Sequence, residues 1–491
     1  MKIQTLLILS MIIALNACHS TEEALEEQPN ILFILADDHR WDLLGYKHPI
    51  IKTSNLDELA NKGFSFENTF VTTPICASSR ISILTGLTER THDFTFSQPT
   101  TGEIESRNMY PQILKSKGYQ SAFVGKYEIK ISGRQEDRFD FFKPLLQSKT
   151  EVYDGEEIPQ TYYIAALASD FIKSASKSSK PWTMSVNFWN PHAHDGDLED
   201  QFHYPAEFET LYAEDVIPPA KLSEDENFEQ LPSFLKKSIA RQRWKFRFGT
   251  DVIYQKMTKR HYRAISSVDA AVGKIIETLR QTGEDKNTII IYTGDNGYFM
   301  NERQLAGKWF GWDEALRVPL IIFDPRKQNA KQVKVQQFAL NIDIAPTILD
   351  FAGIKAPDSY QGKSLLPLIY GESVPKWRDS FFFEHMYQPK HASIPPMVGI
   401  RTERWKYIDF YKNGYEQLYD LNSDPEEKIN LATSQKFSSV LQTLREETIK
   451  SIQYFESQRT EEVKRREYFN NTNCKLHEVK RGYPPACGSA R

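Results

Sequence analysis

Four apolar runs in this chain each end in side chains that can do chemistry. "NILFILADDH" carries a buried-strand pattern from Ile31 to Leu35 and then presents Asp37 and Asp38; "NTIIIYTGDNG" runs from Thr288 to Tyr292 and presents Asp295 and Asn296. "SAFVGKYE" ends in Lys126, and "WTMSVNFWNPHAH" ends in His192 and His194. Carboxylates with an amide oxygen make an all-oxygen set suited to a hard divalent cation, Ca²⁺ or Mg²⁺, rather than to zinc. A lysine and a histidine beside such a cation would face an anion held near it. Singly, each stretch has a plainer use. An Asp pair can cap a helix or make a turn, "TGDNG" can be a turn with Gly297 at positive φ, and Lys126 and His192 can be loop residues. Gathered at one place, they make a site.

The elements that would gather them follow from the pattern. Short β-rich runs, polar clusters and helical stretches alternate as in an α/β sheet, and in open α/β sheets ligands bind beyond the carboxyl ends of the strands. A further stretch, "PICASSRISILTGL", places Ile81, Leu84 and Leu87 at helical spacing with Ser78 and Ser79 available as caps. Cys76 then stands at the amino end of that helix, where free N–H groups and the dipole favour a bound anion or a deprotonated nucleophile. The alternatives are a small buried apolar cysteine or a cysteine protease. The latter lacks a "CGSCW"-type context and leaves the hard-metal residues without a purpose.

The 491 residues can bury a large core, and 40% hydrophobic and 12% aromatic residues argue against disorder. The net charge of −4 gives no electrostatic footprint for nucleic acid, which is not an expected partner. "MKIQTLLILSMIIALNACHS" combines Lys2, an apolar run from Leu6 to Leu15 and a small-residue site, an export signal too short to span a membrane. Leu15-Asn16-Ala17-Cys18 resembles a bacterial lipobox, whose cysteine is acylated after cleavage; the alternative is an ordinary cleaved signal. Residues 1–17 are thus read as signal and 18–28, with "TEEALEEQ", as a tether. Of four cysteines, Cys18 is assigned to lipidation, and Cys474 and Cys487 lie close together in a polar tail where a local disulfide is expected. Cys76 is left unpaired.

Cys76-Ala77-Ser78-Ser79-Arg80 followed by Leu84-Thr85-Gly86 resembles the signature C-x-P/A-S-R-x-x-x-L-T-G of the formylglycine-dependent type I sulfatases, in the alkaline phosphatase superfamily. "PNILFILADDHR", "TSNLDELANKGFSFENTF", "GYQSAFVGKYE", "NPHAH", "TGDNG", "GKWFGWDEALRVPLII", "NIDIAPTILDFAGI", "QGKSLLPLI" and "YEQLYDLNSDPEEKINLA" are similar to that family's segments and keep its order, from Pro29 to about Ala432. The resemblance implies that Asp37, Asp38, Asp295 and Asn296, with the side chain at position 76, hold one divalent cation, usually Ca²⁺. It implies that Arg80, Lys126, His192 and Lys308 surround the sulfate. It also implies that a maturation enzyme oxidises Cys76 to Cα-formylglycine, whose hydrate attacks sulfur while Lys308 or His192 protonates the leaving oxygen. Two positions depart from the pattern. Ser78 stands where Pro or Ala is usual, and Glu128 where histidine is usual. Glu128 either serves as the base that regenerates the aldehyde or turns away to pair with a cation such as Arg134.

The implied fold is an alkaline-phosphatase-like large mixed, mostly parallel sheet sandwiched by helices over residues 29–370. From 371 to 491 a smaller subdomain of antiparallel sheet plus helix follows, read from "WRDSFFFEH", "MVGIRTERWKYIDF", "YEQLYDL" and "FSSVLQTLREETIKSIQYFESQ". Export, lipidation and aromatic residues beside the motifs suggest a sulfated carbohydrate: ulvan or another algal polysaccharide first, a glycosaminoglycan second. Trp189, Trp309 and Trp312 could stack on sugar faces or be core, with core expected for Trp189. His194, Asp195, Arg303 and His385 are candidate sugar contacts. The expected location is the outer membrane, lipid-anchored, on the periplasmic or cell-surface side. The rival activities are phosphodiester or phosphonate monoester hydrolysis, and a carbohydrate-binding lipoprotein without turnover.

Overall fold

The computed structural model describes residues 28–96, 100–327, 331–372, 374–387 and 393–467. Residues 1–27, with Cys18, and the segment holding Cys474 and Cys487 lie outside them. Cys76 is free and buried. Among the described residues no helix is long and apolar enough to cross a membrane.

Strand β1 (Asn30–Ala36) shows how the sequence builds the centre. Ile31, Phe33 and Leu35 point to one face and Leu32, Ile34 and Ala36 to the other, the two-residue alternation of a strand. Both faces are covered, so the run reads as continuously apolar. The first face packs against helices α1 (Cys76–Thr85) and α2 (Ile344–Phe351) through Ile81, Leu84, Ile344 and Ile348. The second meets α3 (Gln160–Ala175) and the long α4 (Asp251–Thr282) through Ile164, Ala168, Val268, Val272 and Ile275. Each Ile, Leu or Val among them contributes about 1.5–3 kcal/mol when fully buried.

Beside β1 lie β2 (Trp182–Phe188) and β3 (Thr288–Gly294), both parallel to it. β4 (Gln120–Lys126) pairs parallel with β2, and β5 (Phe141–Leu145) parallel with β4. On the other flank β6 (Leu320–Phe323) runs antiparallel to β3 and to β7 (Phe64–Phe66), and β8 (Val333–Val335) closes the sheet parallel to β7. The eight-strand order is β8-β7-β6-β3-β1-β2-β4-β5. The expected mixed, mostly parallel sheet is therefore present, with β6 as the reversed strand. The four central strands β3, β1, β2 and β4 end on one side.

The C-terminal part is a four-stranded antiparallel meander, β9 (Ser380–His385), β10 (Met397–Thr402), β11 (Trp405–Phe410) and β12 (Tyr415–Asp420), with α5 (Ser438–Ser457) against it. Val398, Ile400 and Leu418 pack on Leu441, Leu444 and Ile452 of α5. Phe381, Phe383, Ile408 and Phe410 face the large sheet's lobe at Phe310, Trp312 and Leu316. The seam is locked by Arg90, buried and ion-paired with Glu384 of β9 at 2.6 Å and Glu456 of α5 at 2.8 Å.

The cap expected on α1 is corrected. The helix begins at Cys76 with Ile75 as its N-cap and no side-chain cap bond. Ser78 and Ser79 fall inside the first turn: Ser78 Oγ donates to the Phe94 and Thr95 carbonyls, and Ser79 Oγ accepts from Asn341 Nδ2. Gly297 is not at positive φ. A Cβ there would lie 2.2 Å from the Glu314 carbonyl oxygen, so close backbone approach demands the glycine.

Candidate active site

The ends of β3, β1, β2 and β4 deliver Asp295 and Asn296, Asp37 and Asp38, the Trp189–His192 loop, and Lys126 to one place. α1 adds Cys76 and Arg80 from one sheet face, and the loop before β6 adds Lys308. Asp37, Asp38, Cys76, Arg80, Lys126, Asp295, Asn296 and Lys308 are all buried.

Three cations meet three carboxylates. Lys126 Nζ pairs with Asp37, Lys308 Nζ lies 2.6 Å from Asp38 Oδ1 and 3.7 Å from Asp37 Oδ1, and Arg80 Nη1 lies 2.8 Å from Asp295 Oδ2. The Asp38 amide donates to Asp295 Oδ1 at 3.2 Å, and Asn296 Nδ2 donates to Asp38 Oδ1 at 2.6 Å. His192 Nε2 stands 3.8 Å from Asp38 Oδ2. Lys126 Nζ also lies 3.9 Å from the centre of the Trp189 ring, a cation–π contact that fixes the ammonium from behind.

Burial and charge oppose each other at each group. Burial raises the Asp37 pKa, but Lys126, His192, Lys308 and Arg80 outweigh it and hold the carboxyl well below its ordinary range. For Asp295, burial and then the Asp37 charge win over Arg80 and Lys308, and its pKa is pushed up to about 7. Burial keeps the Cys76 thiol above its ordinary pKa although Lys308 and Lys126 oppose this. Burial pulls His192 far down, with the Lys126 charge adding to it.

The donor set fits a hard divalent cation. Asp37 Oδ1 and Asn296 Oδ1 are buried acceptors with no hydrogen-bond donor, an expensive state for oxygen unless a cation satisfies it. Ligand atoms of Asp37, Asp38 and His192 lie within 4.8 Å of one another. Asp295 joins through the Asp38 amide and is held by Arg80. An anion also has a place, since Arg80 Nη2 is buried and makes no hydrogen bond. A group bound between Arg80, Lys126 and Lys308 would meet three positive charges.

Glu128 turns toward this centre. Its Oε2 lies 3.2 Å from Lys126 Nζ and 3.7 Å from Arg80 Nη2, with the side chain 42% exposed. Its φ of 41° re-aims the chain after β4. Arg134 pairs instead with Glu136 and Asp137, so the alternative partner is excluded.

Several specificity candidates are corrected. Arg303 is buried; its guanidinium donates to Glu314 and to the Glu426 and Glu427 carbonyls, tying the lobes together rather than facing a ligand. His385 is fully buried on β9, its Nδ1 accepting from the Tyr387 amide. Trp312 is core, edge-on to Phe299 and Phe310. Trp189 is buried as expected, and Trp309 is buried under Arg243. The His194 ring stacks on His203 at 5.1 Å, and Asp195 is bound by Arg243 and Arg247. Arg243 was not legible as a site residue. It stands on helix α6 (Ile239–Arg247) and meets Asp195, three residues after His192, and Trp309, next to Lys308; its one signal is the cation-rich run "RQRWKFR".

Comparison with known proteins agrees with this geometry. The sulfatase family profile matches residues 29–354, and a profile described as N-sulphoglucosamine sulphohydrolase, C-terminal, matches residues 301–454. An N-acetylglucosamine-6-O-sulfatase of Bacteroides thetaiotaomicron is 27% identical, the alignment covering 91% of this chain and 90% of the relative. An ulvan-active sulfatase of Formosa agariphila is 25% identical, covering 96% and 90%. Among solved structures BT4656, in complex with its substrate D-glucosamine-2-N,6-O-disulfate, has a TM-score of 0.74 at 25% identity, covering 88% of this chain and 98% of that one.

Proposed function

Because this chain belongs to the sulfatase family and is a sulfuric ester hydrolase, we propose that it removes sulfate from a sulfated polysaccharide or oligosaccharide, with the hydrate of a Cα-formylglycine made from Cys76 as the nucleophile. The observation that carries this is the convergence of Arg80, Lys126 and Lys308 around Cys76, beside two buried oxygens that lack a donor. The carbohydrate class rests on the relatives, which are named for an amino-sugar sulfate and for ulvan.

Asp37, Asp38, Asp295 and Asn296 would hold the divalent cation, a hard one by the oxygen set and Ca²⁺ by the family resemblance. Bound there, it would lower the pKa of the attacking hydroxyl and offset charge on the sulfate. Arg80 orients its guanidinium through Asp295 and offers Nη2 to a sulfate oxygen. Lys126, clamped between Asp37 and Trp189, offers a fixed ammonium. These groups stand ready before substrate arrives, so little reorganisation opposes the transition state. Lys308 Nζ and His192 Nε2 both flank Asp38; against burial, the neighbouring carboxylates keep Lys308 protonated, so it is the group that delivers a proton to the departing oxygen, while His192, held neutral by burial, offers a hydrogen bond.

Export, acylation at Cys18, a Cys474–Cys487 disulfide and an outer-membrane location belong to the same proposal and rest on sequence. The test is inorganic sulfate release from a panel of sulfated algal and glycosaminoglycan oligosaccharides, by protein co-expressed with a maturation enzyme. Release abolished by Cys76→Ala supports the proposal and names the substrate. Release of phosphate from phosphoesters with none of sulfate would overturn it.

A further inference from the structure

Arg247, Asp195 and Arg243 form a relay from the interior to the mouth of the site. Arg247 is buried and uses every arm of its guanidinium: Nε donates to Gln201, Nη1 to Tyr298 Oη at 2.6 Å, and Nη2 to Asp195. That fixes Asp195, an otherwise half-exposed carboxylate on the loop that follows His192. Asp195 in turn accepts from Arg243 Nη2. The Arg243 guanidinium lies 5.0 Å from the centre of the Trp309 ring, next in sequence to Lys308, so its plane is set from two directions. Among the described residues its Nε and Nη1 donate to no protein acceptor, and its side chain keeps 19% exposure. Nη2 carries two N–H groups and gives one to Asp195, so its second N–H, with either Nε–H or Nη1–H beside it, leaves one edge of the rigid fork unfilled by protein.

The charge count favours an anion there. Two guanidinium groups share one carboxylate, Asp195. Burial and then the Arg247 charge lower the Arg243 pKa from its ordinary value, and Asp195 offsets them only partly. Its two partners place it beside the catalytic groups: Asp195 follows His192 by three residues and Trp309 follows Lys308 directly. The unfilled edge, the second Nη2 N–H with the parallel N–H next to it, matches a carboxylate or a sulfate in bidentate fashion, which a lysine cannot do.

We propose that Arg243, positioned by Asp195 and Trp309, reads a second anionic group of the substrate, a carboxylate or another sulfate on the sugar that carries the scissile ester or on its neighbour. The assignment rests on the sulfated-carbohydrate reading above and adds to it the chemistry of the leaving-group side. Asp195 is the positioning residue, and Arg243 makes the contact.

The test is binding, measured by calorimetry in Ca²⁺-containing buffer with Cys76→Ala protein, which cannot turn substrate over. Two probe pairs separate the two sources of anion. Glucosamine N,6-disulfate against N-acetylglucosamine 6-sulfate varies the second sulfate. A sulfated uronate-containing disaccharide against its carboxyl-reduced form varies the carboxylate. The expected result is a preference of about tenfold or more for the doubly anionic member of one pair, the value of a charge-assisted bidentate contact. Adding Arg243→Ala should shrink that ratio to about twofold or less, and Arg243→Lys should restore only part of it. Asp195→Asn should weaken the preference while Arg243 is still present. Should Arg243→Ala fail to fold, Arg243→Lys carries the comparison. Equal affinity within both pairs, binding of no probe at all, or a preference that survives the Arg243 substitutions would overturn the proposal. The sulfatase reading fails by a different readout, sulfate release by the mature enzyme, so the two failures are separable.

Discussion

Glu128 is a carboxylate set among cations at the edge of a site built to hold an anion. Its contacts with Lys126 and Arg80 keep it from facing the sulfate alone, and its exposure gives a proton taken there a way out to water. These two properties suit a base that accepts the proton leaving position 76 after sulfate transfer. Glu128→Gln is expected to cut steady-state turnover about 10²-fold or more while a pre-steady-state burst of the desulfated product survives. Stopped-flow measurement with an aryl sulfate checks this; loss of burst and turnover together would place Glu128 in the first step instead. At this scale the sequence was readable where a residue sits at a strand end and opaque where a side chain's direction is set by its turn. Asp37, Lys126 and Asp295 could be placed from their runs alone. Arg303, five residues before Lys308, could not, because its φ of 52° sends it toward Glu314 and the C-terminal lobe.

The strands work as an element because four parallel neighbours end in register, and the tightest point of that arrangement is Gly125. It has φ of 97°, and a Cβ there would lie 2.0 Å from the Asn187 carbonyl oxygen of the neighbouring strand. Asn187 Nδ2 also donates to the Lys126 carbonyl at 3.1 Å, so β4 and β2 are locked together at the residue that carries the ammonium. Gly125→Ala must push the strands apart or break that turn. The expected cost is about 2–4 kcal/mol of stability and a loss of turnover greater than the loss of folded protein, measured by denaturant unfolding beside activity. An unfolding midpoint and activity both equal to wild type would contradict the account of β4. The apolar runs foretold these strands because burial on both faces leaves no alternation to misread. The seating of α1 was less legible: Ser78 and Ser79 look like caps in sequence, but partners at Phe94, Thr95 and Asn341 lie far along the chain or across the fold.

For the whole molecule the seam between the lobes matters, and it is built on buried polar groups. His92, beside the Arg90 cluster, and His385 on β9 are fully buried, and burial lowers both pKa values to about 3. In the unfolded chain both would protonate near pH 6.5. Below that pH the unfolded state binds more protons, so stability is full above 6.5 and is lost as pH falls toward 3, by up to about 1.4 kcal/mol per pH unit for each histidine. His92→Gln, which can keep the 3.0 Å bond between His92 Nε2 and Ser82 Oγ, should make the acid branch shallower by about that slope; an unchanged slope in urea titrations from pH 7 to 5 would contradict it. The large lobe and the small sheet could both be read from sequence, but the salt-bridged contact between them could not, since Arg90, Glu384 and Glu456 are joined by no local pattern. The central claim concerns the group that this whole structure holds at position 76. Its most direct measurement is the fraction of Cys76 converted to aldehyde, by peptide mass, against sulfate release across preparations made with graded amounts of a maturation enzyme. Activity proportional to the aldehyde fraction, extrapolating to zero with Cys76 intact, is the predicted result; full activity with an unmodified thiol would contradict it.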